Sequence, residues 1–262
     1  MVISGGARGQ GLNHARAYAR AGDHLVLLDA PGVSLPTVPY ELADGEDLEA
    51  ARAEVDALGR GKVLAYSVDV RDAEAVKSAV DDAAGRLGGV DVAVANAGVF
   101  SFAPNTWELE PETWRECSDV ILFGSYAVAR ACIPHMLGRT GANLVFVGSV
   151  SAHKGIASTA HYVAAKHGVF GLTKTLAIEL APHGVRSNMV SPTATRTHMA
   201  TNPAMGRCVE YQESNGSDMS NLLDVDLLDP QDITEAVVWV SSQRARYVTG
   251  EVIKVDAGFT VR

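Results

Sequence analysis

The chain has 262 residues, of which 47% are hydrophobic and 20% charged, and its formal net charge is -9. This composition supplies a sizeable core and argues against a disordered chain, and the negative charge argues against a nucleic acid partner because it repels phosphate backbones. Three cysteines without CxxC spacing argue against a disulfide framework or a metal site such as zinc, and they predict a reducing, cytoplasmic location. No apolar run approaches the roughly 20 residues that span a bilayer, and no signal peptide or membrane partner is predicted.

Two kinds of segment alternate along the chain. The first kind is short, β-rich and mostly continuously apolar, as strands buried on both faces are. The predicted strands are Val2–Ser4, His24–Asp29, Val63–Ser67, Val90–Ala95, Asn143–Ser149, Val185–Val190 and Val252–Val255. Ala-rich helical segments lie between them, at Leu12–Ala21, Asp47–Leu58, Ala73–Leu87, Pro111–Leu137, Tyr162–Leu180 and Asp232–Val240. The alternation predicts an α/β fold with a doubly wound parallel sheet of about seven strands and helices on both faces.

Three segments depart from this pattern. The first strand is shorter than the roughly five residues usual for strands, so a clipped start is expected. Ala30–Gly45 contains three prolines and is predicted to be a long loop. Thr193–Asp229 mixes polar residues with methionines and leucines. Long irregular segments of compact domains are usually binding loops or lids, so we predict a substrate-loop insertion at about 193–229 within a single domain of residues 1–262; the alternative is a disordered surface insertion.

A glycine-rich loop, Ser4-Gly5-Gly6-Ala7-Arg8-Gly9-Gln10-Gly11, joins the first predicted strand to the first predicted helix. Glycines there let backbone N–H groups approach a pyrophosphate at the helix N-terminus. Asp29 ends the second strand, where a carboxylate binds the ribose hydroxyls of NAD and repels the 2′-phosphate of NADP. Arg8 favours the opposite specificity because a basic side chain can pair with that phosphate. Asp29 carries more weight because it occupies the ribose position, so NAD is the predicted cofactor.

Tyr162 and Lys166 are four residues apart at the start of a predicted helix and therefore share a face. A neighbouring ammonium is expected to lower the pKa of the tyrosine and to make it a general acid/base. Ser149 ends the preceding strand, at the edge where open α/β sheets bind their ligands. The predicted catalytic residues are Ser149, Tyr162 and Lys166.

These residues resemble the short-chain dehydrogenase/reductases in motif, order and spacing, over essentially the whole chain. The matching positions are Gly5, Gly9, Gly11, Asp69, Asn96-Ala97-Gly98, Ser149, Tyr162-Val163-Ala164-Ala165-Lys166 and Pro192. The resemblance implies a Rossmann-type fold and hydride transfer between NAD(P) and an alcohol/carbonyl pair. It implies that Lys166 also binds the nicotinamide ribose and that Thr197 contacts the carboxamide. The expected cofactor-binding residues are Gly5, Arg8, Gly9, Gln10, Gly11, Asp29, Asp69, Val70, Asn96, Ala97, Gly98, Tyr162, Lys166, Pro192, Thr195 and Thr197.

A narrower resemblance is to the carveol-dehydrogenase-like, mycofactocin-coupled subgroup of that family. The features that carry it are Ala7-Arg8-Gly9-Gln10-Gly11, Val38-Pro39-Tyr40, His161 to Gly168, Pro192-Thr193, Ala245-Arg246-Tyr247 and Thr249-Gly250. This resemblance implies that NAD is held without release, that mycofactocin is the electron acceptor and that the protein is a homotetramer.

One position departs from the family pattern. The run Asp119-Val120-Ile121-Leu122-Phe123-Gly124 has isoleucine where the family usually has an asparagine that holds a water of the proton path. Isoleucine neither donates nor accepts a hydrogen bond. Ser118 and Ser125 are expected to point away from position 121 on a regular helix.

The sequence favours an NAD-dependent secondary-alcohol dehydrogenase, and the apolar residues of Thr193–Asp229 favour a terpenoid- or steroid-like small-molecule substrate. One alternative is an NADPH-linked carbonyl or 3-oxoacyl thioester reductase, against which Asp29 argues. A second alternative is a catalytically weak NAD-binding protein, which Ile121 favours and the Ser149, Tyr162 and Lys166 set opposes.

Overall fold

The computed structural model describes residues 1–261 and contains one parallel sheet of seven strands in the order β3-β2-β1-β4-β5-β6-β7. The strands are β1 (Val2–Ser4), β2 (Leu25–Asp29), β3 (Val63–Ser67), β4 (Val92–Ala95), β5 (Asn143–Val147), β6 (Arg186–Pro192) and β7 (Val252–Val255). The order reverses between β1 and β4, which makes the sheet doubly wound. The predicted fold class is confirmed, and all seven predicted strands are present with small shifts of their ends.

Helices cover both faces of the sheet. They are α1 (Gly9–Ala21), α2 (Gly45–Leu58), α3 (Ala73–Leu87), α4 (Pro111–Ser118), α5 (Gly124–Cys132), α6 (Ala160–Leu180), α7 (His198–Thr201), α8 (Met205–Ser214) and α9 (Pro230–Ser241). Along β2, Leu25 and Leu27 belong to the core under α1, α2 and α9, whereas Val26 and Leu28 belong to the core under α3, α5 and α6. Successive side chains of a strand point to opposite faces, so the continuously apolar strands fill both cores.

The prediction of one continuous helix over Pro111–Leu137 is wrong. A π-helical turn, Asp119–Phe123, separates α4 from α5, and the backbone N–H of Gly124 bonds to the carbonyl of Asp119, five residues back. A Cβ on Gly124 would lie 2.6 Å from a methyl group of Val70, so glycine allows the chain to pass close to the loop after β3. Apolar periodicity does not reveal a single wide turn, and such turns are frequent at functional sites.

The segment Thr193–Asp229 is more ordered than its composition suggests, since it contains α7 and α8. Its two ends lie side by side: Arg196 N–H donates to Leu228 O at 2.8 Å, and Leu228 N–H donates to Ala194 O at 3.0 Å. The segment therefore leaves the sheet after β6 and returns to the same place before α9. None of the helices over residues 1–261 combines the length and apolar character that crossing a membrane requires.

Candidate active site

A cavity of about 1420 Å³ lies at the carboxyl ends of the strands. Open α/β sheets bind their ligands at this edge, next to the point where the strand order reverses. Most of the residues predicted to bind a cofactor or to act in catalysis line it: Gly5, Arg8, Gly9, Gln10, Asp29, Asp69, Val70, Asn96, Ala97, Gly98, Ser149, Tyr162, Lys166, Pro192, Thr195 and Thr197. Of the predicted residues only Gly11 is not part of the wall; it is buried in the first turn of α1.

Gly11 has a packing role. A Cβ at this position would lie 2.0 Å from the carbonyl oxygen of Gly5 and 2.8 Å from Nδ2 of Asn96. The same Asn96 amide donates to the carbonyls of Ser4 and Gly5, at 3.0 and 3.2 Å. Because Gly11 has no side chain, Asn96 at the end of β4 can pack against the glycine-rich loop and hydrogen-bond to it. Gly5 adopts a φ of 66°, which residues with a side chain disfavour.

Two observations indicate that the glycine-rich loop can bind a dinucleotide. A Cβ on Gly9 would come within 3.2 Å of the Thr197 methyl group, so the start of α1 and the turn after β6 approach closely at the cavity. Gln10 Oε1 is buried and lacks a hydrogen-bond partner within residues 1–261. A buried polar atom without a partner is costly unless a ligand or water satisfies it, so the loop has the shape and an unfilled acceptor for a bound nucleotide.

Asp29 is placed at the end of β2 and held there by the backbone. Its two carboxylate oxygens accept hydrogen bonds from Ala7 N–H at 2.8 Å and from its neighbour Ala30 N–H at 2.9 Å. Burial raises the pKa of Asp29 above its ordinary value, and these backbone hydrogen bonds oppose that shift. Each oxygen keeps a further lone pair for a ribose hydroxyl.

Arg8 does not present a free charge to the cavity. Its Nε donates to the Asp47 carboxylate at 2.8 Å, and its Nη2 donates to the carbonyl of Leu42 at 2.7 Å and to Asp47. The guanidinium thus joins the glycine-rich loop to the loop after β2. Because its guanidinium already binds Asp47 and Leu42, Arg8 is a poor partner for the 2′-phosphate of NADP. The sequence argument that Arg8 favours NADP is therefore weakened.

Asp69 is paired with a residue that the sequence did not single out. Arg71 donates its backbone N–H to one oxygen of Asp69 at 2.9 Å and its Nε and Nη2 to the other at 2.8 and 2.6 Å. Arg71 lines the same cavity. The pair forms the part of the wall next to Val70, another of the expected cofactor-binding residues.

Ser149, Tyr162 and Lys166 meet on the cavity wall. Ser149 follows β5, and its hydroxyl lies close to Tyr162 and accepts from Ser151 N–H at 3.1 Å. One turn along α6 from Tyr162, the Lys166 Nζ donates to the carbonyl of Val147 at 2.8 Å and lies 5.6 Å from the centre of the Tyr162 ring. Lys166 is only 5% exposed.

The pKa values of this pair differ from the sequence prediction. Burial raises the pKa of Tyr162, and the nearby Ser149 hydroxyl opposes that rise by less. Burial also lowers the pKa of Lys166 to about 8. The expected lowering of the tyrosine pKa by Lys166 is therefore wrong for the protein groups alone, because desolvation is the largest cause of both shifts. Both shifts favour neutral groups in this wall.

Ile121 lies beside this pair and is fully buried. A Cβ built on Gly98 would lie 3.8 Å from Cγ1 of Ile121 and 4.0 Å from Nζ of Lys166, so both flank the same glycine. Ser125, expected to point away, donates its hydroxyl to the carbonyl of Ile121 at 2.6 Å. Cys117, one helical turn before Ile121, is also buried, and its thiol interacts electrostatically with the Lys166 ammonium.

Replacing Ile121 by asparagine is expected to raise kcat and to reduce its solvent isotope effect, because the amide restores a partner for an ordered water beside Lys166. The buried amide should also cost about 1–3 kcal/mol of stability where it stays unsatisfied. Ile121→Val is the control, since it changes packing without adding a polar group. An unchanged kcat and isotope effect in Ile121→Asn would show that protons leave by another route.

Sequence reasoning missed several residues of the wall. Phe100 packs edge-on against the Tyr162 ring with centroids 5.1 Å apart, and its N–H donates to the Tyr40 hydroxyl at 3.0 Å. Gln212 lines the cavity from α8. Only the Val38-Pro39-Tyr40 run gave a signal in the sequence; the others are single residues in unremarkable contexts.

Comparison with known proteins places this site in a family. A family profile described as Enoyl-(Acyl carrier protein) reductase matches residues 5–260. A (-)-trans-carveol dehydrogenase of Rhodococcus erythropolis is 37% identical over 100% of this chain and 97% of its own length, and a cyclohexanol dehydrogenase of Acinetobacter sp. (strain SE19) is 32% identical over 99% and 94%. The crystal structure of a carveol dehydrogenase from Mycobacterium avium in complex with NAD has a TM-score of 0.93 and 36% identity, covering 100% of this chain and 98% of that one. The chain belongs to the short-chain dehydrogenase/reductase family.

Proposed function

We propose that the protein is an NAD-dependent dehydrogenase that oxidises a secondary alcohol on an apolar, terpenoid- or steroid-like ring to the ketone, and that Ser149, Tyr162 and Lys166 are its catalytic residues. The observation that carries the proposal is the meeting of these three side chains in one cavity with the glycine-rich loop. Relatives named for carveol and cyclohexanol act on ring alcohols, which supports the same substrate class here.

Each catalytic side chain has a position suited to one task. The Ser149 hydroxyl, close to Tyr162 on the same wall, orients the substrate oxygen. Tyr162 accepts the hydroxyl proton as the C–O bond becomes a carbonyl. Lys166, held by the Val147 carbonyl, would contact the nicotinamide ribose and stabilise the phenolate. NAD would supply the hydride acceptor and a positive charge, which favours the phenolate that the protein groups alone disfavour.

The side of the cavity away from the glycine-rich loop suits a neutral, apolar molecule, and we call it the substrate side. Its acidic side chains are Glu213, Asp218, Asp224 and Asp226, and apart from Lys166 no lysine or arginine of residues 1–261 lines it. An anionic substrate such as a phosphate-bearing thioester would be repelled there, which argues against the 3-oxoacyl thioester alternative. The apolar residues of this side are Ile156, Met199, Met205, Val209, Met219, Leu222 and Leu223.

Three contacts hold the loop after β2 over the nucleotide side of the cavity. Arg8 binds the Leu42 carbonyl, and Tyr40 accepts from the Phe100 N–H. Glu116, buried in α4, accepts from the hydroxyl and the N–H of Thr37 at 2.5 and 3.2 Å. A loop tied to three different elements opens slowly, which supports NAD that is retained through turnover. Retained NADH needs an external electron acceptor, and we propose mycofactocin for that role.

The experiment is a spectrum of purified protein before and after denaturation, followed by oxidation of a panel of ring alcohols with an artificial electron acceptor. Nicotinamide released only on denaturation, together with turnover of ring alcohols, supports the proposal. Released nicotinamide without turnover of any alcohol would favour the catalytically weak NAD-binding protein. Turnover that requires added NADPH and a ketone would favour the reductase.

NAD preference is predicted to depend on Asp29. Asp29→Ala should narrow the preference for NADH over NADPH by about tenfold or more, because it removes both the ribose acceptor and the repulsion of the 2′-phosphate. Dissociation constants for both reduced cofactors, measured on protein stripped of nucleotide, provide the test. Glu46→Ala is a control that removes an exposed carboxylate of α2 outside the cavity and leaves the Arg8–Asp47 pair intact. Tighter wild-type binding of NADPH than of NADH would contradict the assignment.

We also propose a homotetramer in a reducing, cytoplasmic environment. Exposed aromatic side chains on α4 and α5, Trp114 and Tyr126, with Phe123 between them, support an assembly surface. The cysteines Cys117, Cys132 and Cys208 are free and buried, as in proteins of reducing compartments. The mass of the protein in solution tests the oligomeric state.

A further inference from the structure

Gln212 stands out among the residues of the substrate side. It lies on α8, one turn after Cys208, and the two form the buried face of that helix. Its residue exposure is only 3%, yet it lines the cavity, so the little surface it keeps faces the substrate. The rest of the α8 contribution to the wall is apolar or acidic, from Met205, Val209 and Glu213.

The Gln212 amide makes no hydrogen bond with any side chain or backbone group of residues 1–261. Both polar atoms of the Gln212 amide remain accessible to solvent, whereas Oε1 of Gln10 is fully buried and has no hydrogen-bond partner. An amide can form up to four hydrogen bonds, as both donor and acceptor. Buried polar side chains are normally hydrogen-bonded, so an unused amide at the wall of a cavity indicates a polar group of the ligand as its partner.

The helix that carries Gln212 is fixed in position. Asn215, three residues later, donates its amide to the carbonyl of Pro104 at 3.0 Å and to the Ser158 hydroxyl at 3.5 Å. Tyr211 packs its ring against Phe102 with centroids 6.1 Å apart. These contacts join α8 to the loop after β4 and to the segment before α6, so Gln212 is presented at a defined place in the wall.

We propose that Gln212 is a specificity-determining residue that hydrogen-bonds a second oxygen of the substrate, a hydroxyl or a carbonyl distinct from the reacting one. The proposal rests on the proposed function, since the reacting oxygen is assigned to Ser149 and Tyr162. The preferred substrates are then neutral ring alcohols with a second hydroxyl or ketone. Carboxylates do not fit this class because Glu213, Asp224 and Asp226 lie on the same side.

The test compares matched alcohols that differ only in the second oxygen. One pair is 4-hydroxycyclohexanol and 4-methylcyclohexanol; the other, for a longer reach, is a 3-hydroxysteroid with and without a ketone at its far end. kcat/KM is measured with an artificial electron acceptor for the wild type and for Gln212→Leu, which keeps the bulk of the side chain. Gln231→Leu is the matched control, since Gln231 is exposed on α9 and pairs with Glu235 outside the cavity.

In at least one pair, kcat/KM of Gln212→Leu for the compound with the second oxygen should be about tenfold lower than that of the wild type. A tenfold loss corresponds to the free energy of about one hydrogen bond. The variant should keep or improve kcat/KM for the other compound, and its NAD affinity should be unchanged. Equal effects on both members of both pairs would overturn the proposal, and so would a loss of NAD affinity that accounts for the change. Gln231→Leu should behave as wild type.

The outcome separates this proposal from the proposed function. If the wild type oxidises the alcohols but without selective loss in Gln212→Leu, only the role of Gln212 fails. If the wild type oxidises none of them, the dehydrogenase assignment fails. The role of Gln212 is then tested by calorimetric binding of the same pairs. The compound with the second oxygen should bind about tenfold more weakly to Gln212→Leu than to the wild type. Equal binding to both proteins overturns the proposal.

Discussion

Replacing Tyr162 by phenylalanine is expected to lower kcat by roughly 10²–10⁴-fold, the usual contribution of general acid–base catalysis. The change removes the hydroxyl that lies close to Ser149 but keeps the ring that packs against Phe100. Because the fold and the glycine-rich loop are untouched, NAD should remain bound to the variant.

Tyr18→Phe is a matched control for this substitution. Tyr18 is also buried and also has a pKa raised by burial, to about 12, but it lies on α1, and its hydroxyl bonds to Ser241 on α9, outside the cavity. Its loss should cost stability but leave kcat near the wild-type value. If Tyr162→Phe retained wild-type kcat under conditions where chemistry limits the rate, Tyr162 would not be the acid/base.

The sequence predicted the sheet well because its signals are local. Each strand is a short apolar run, and both faces of a parallel sheet are buried, so the pattern of β2 alone indicates two cores. The glycine-rich loop, Asp29 and the Tyr162–Lys166 spacing are equally local, and the structure brings all of them to one cavity.

The features that the sequence did not predict depend on distant parts of the chain. The role of Arg8 depends on Asp47 and Leu42, more than 30 residues away, whereas the sequence shows only a basic residue near a phosphate site. Gln212 has meaning only because α8 packs over the cavity. The direction of the Tyr162 pKa shift also depends on how deeply tertiary packing buries the pair, and the i,i+4 spacing cannot show that.

Lys166 gives the second large expected effect, on stability rather than on rate. Burial lowers the pKa of its ammonium from 10.5 to about 8 in the folded protein. Between these values the unfolded chain still binds the proton that the folded protein has lost. Stability therefore rises with pH through this window, by about 1.4 kcal/mol per pH unit and about 3 kcal/mol in all. The contribution is fully present above pH 10.5 and is lost as the pH falls through about 8.

Lys166→Met should remove this dependence while it abolishes most of the activity. The quantity to measure is the difference in unfolding free energy between the wild type and the variant, from urea titrations of nucleotide-free protein at pH 7, 8 and 9. Taking the difference cancels other titrating groups, such as Cys132, whose pKa burial raises to about 12. The wild type should gain about 1 kcal/mol relative to Lys166→Met between pH 8 and 9, and much less between pH 7 and 8. Lys174→Met, which removes an exposed lysine of the same helix, should show a difference that is constant across this range. A constant difference for Lys166→Met as well would mean that Lys166 keeps its ordinary pKa, and that its ammonium is present in the folded protein without the cost of burial.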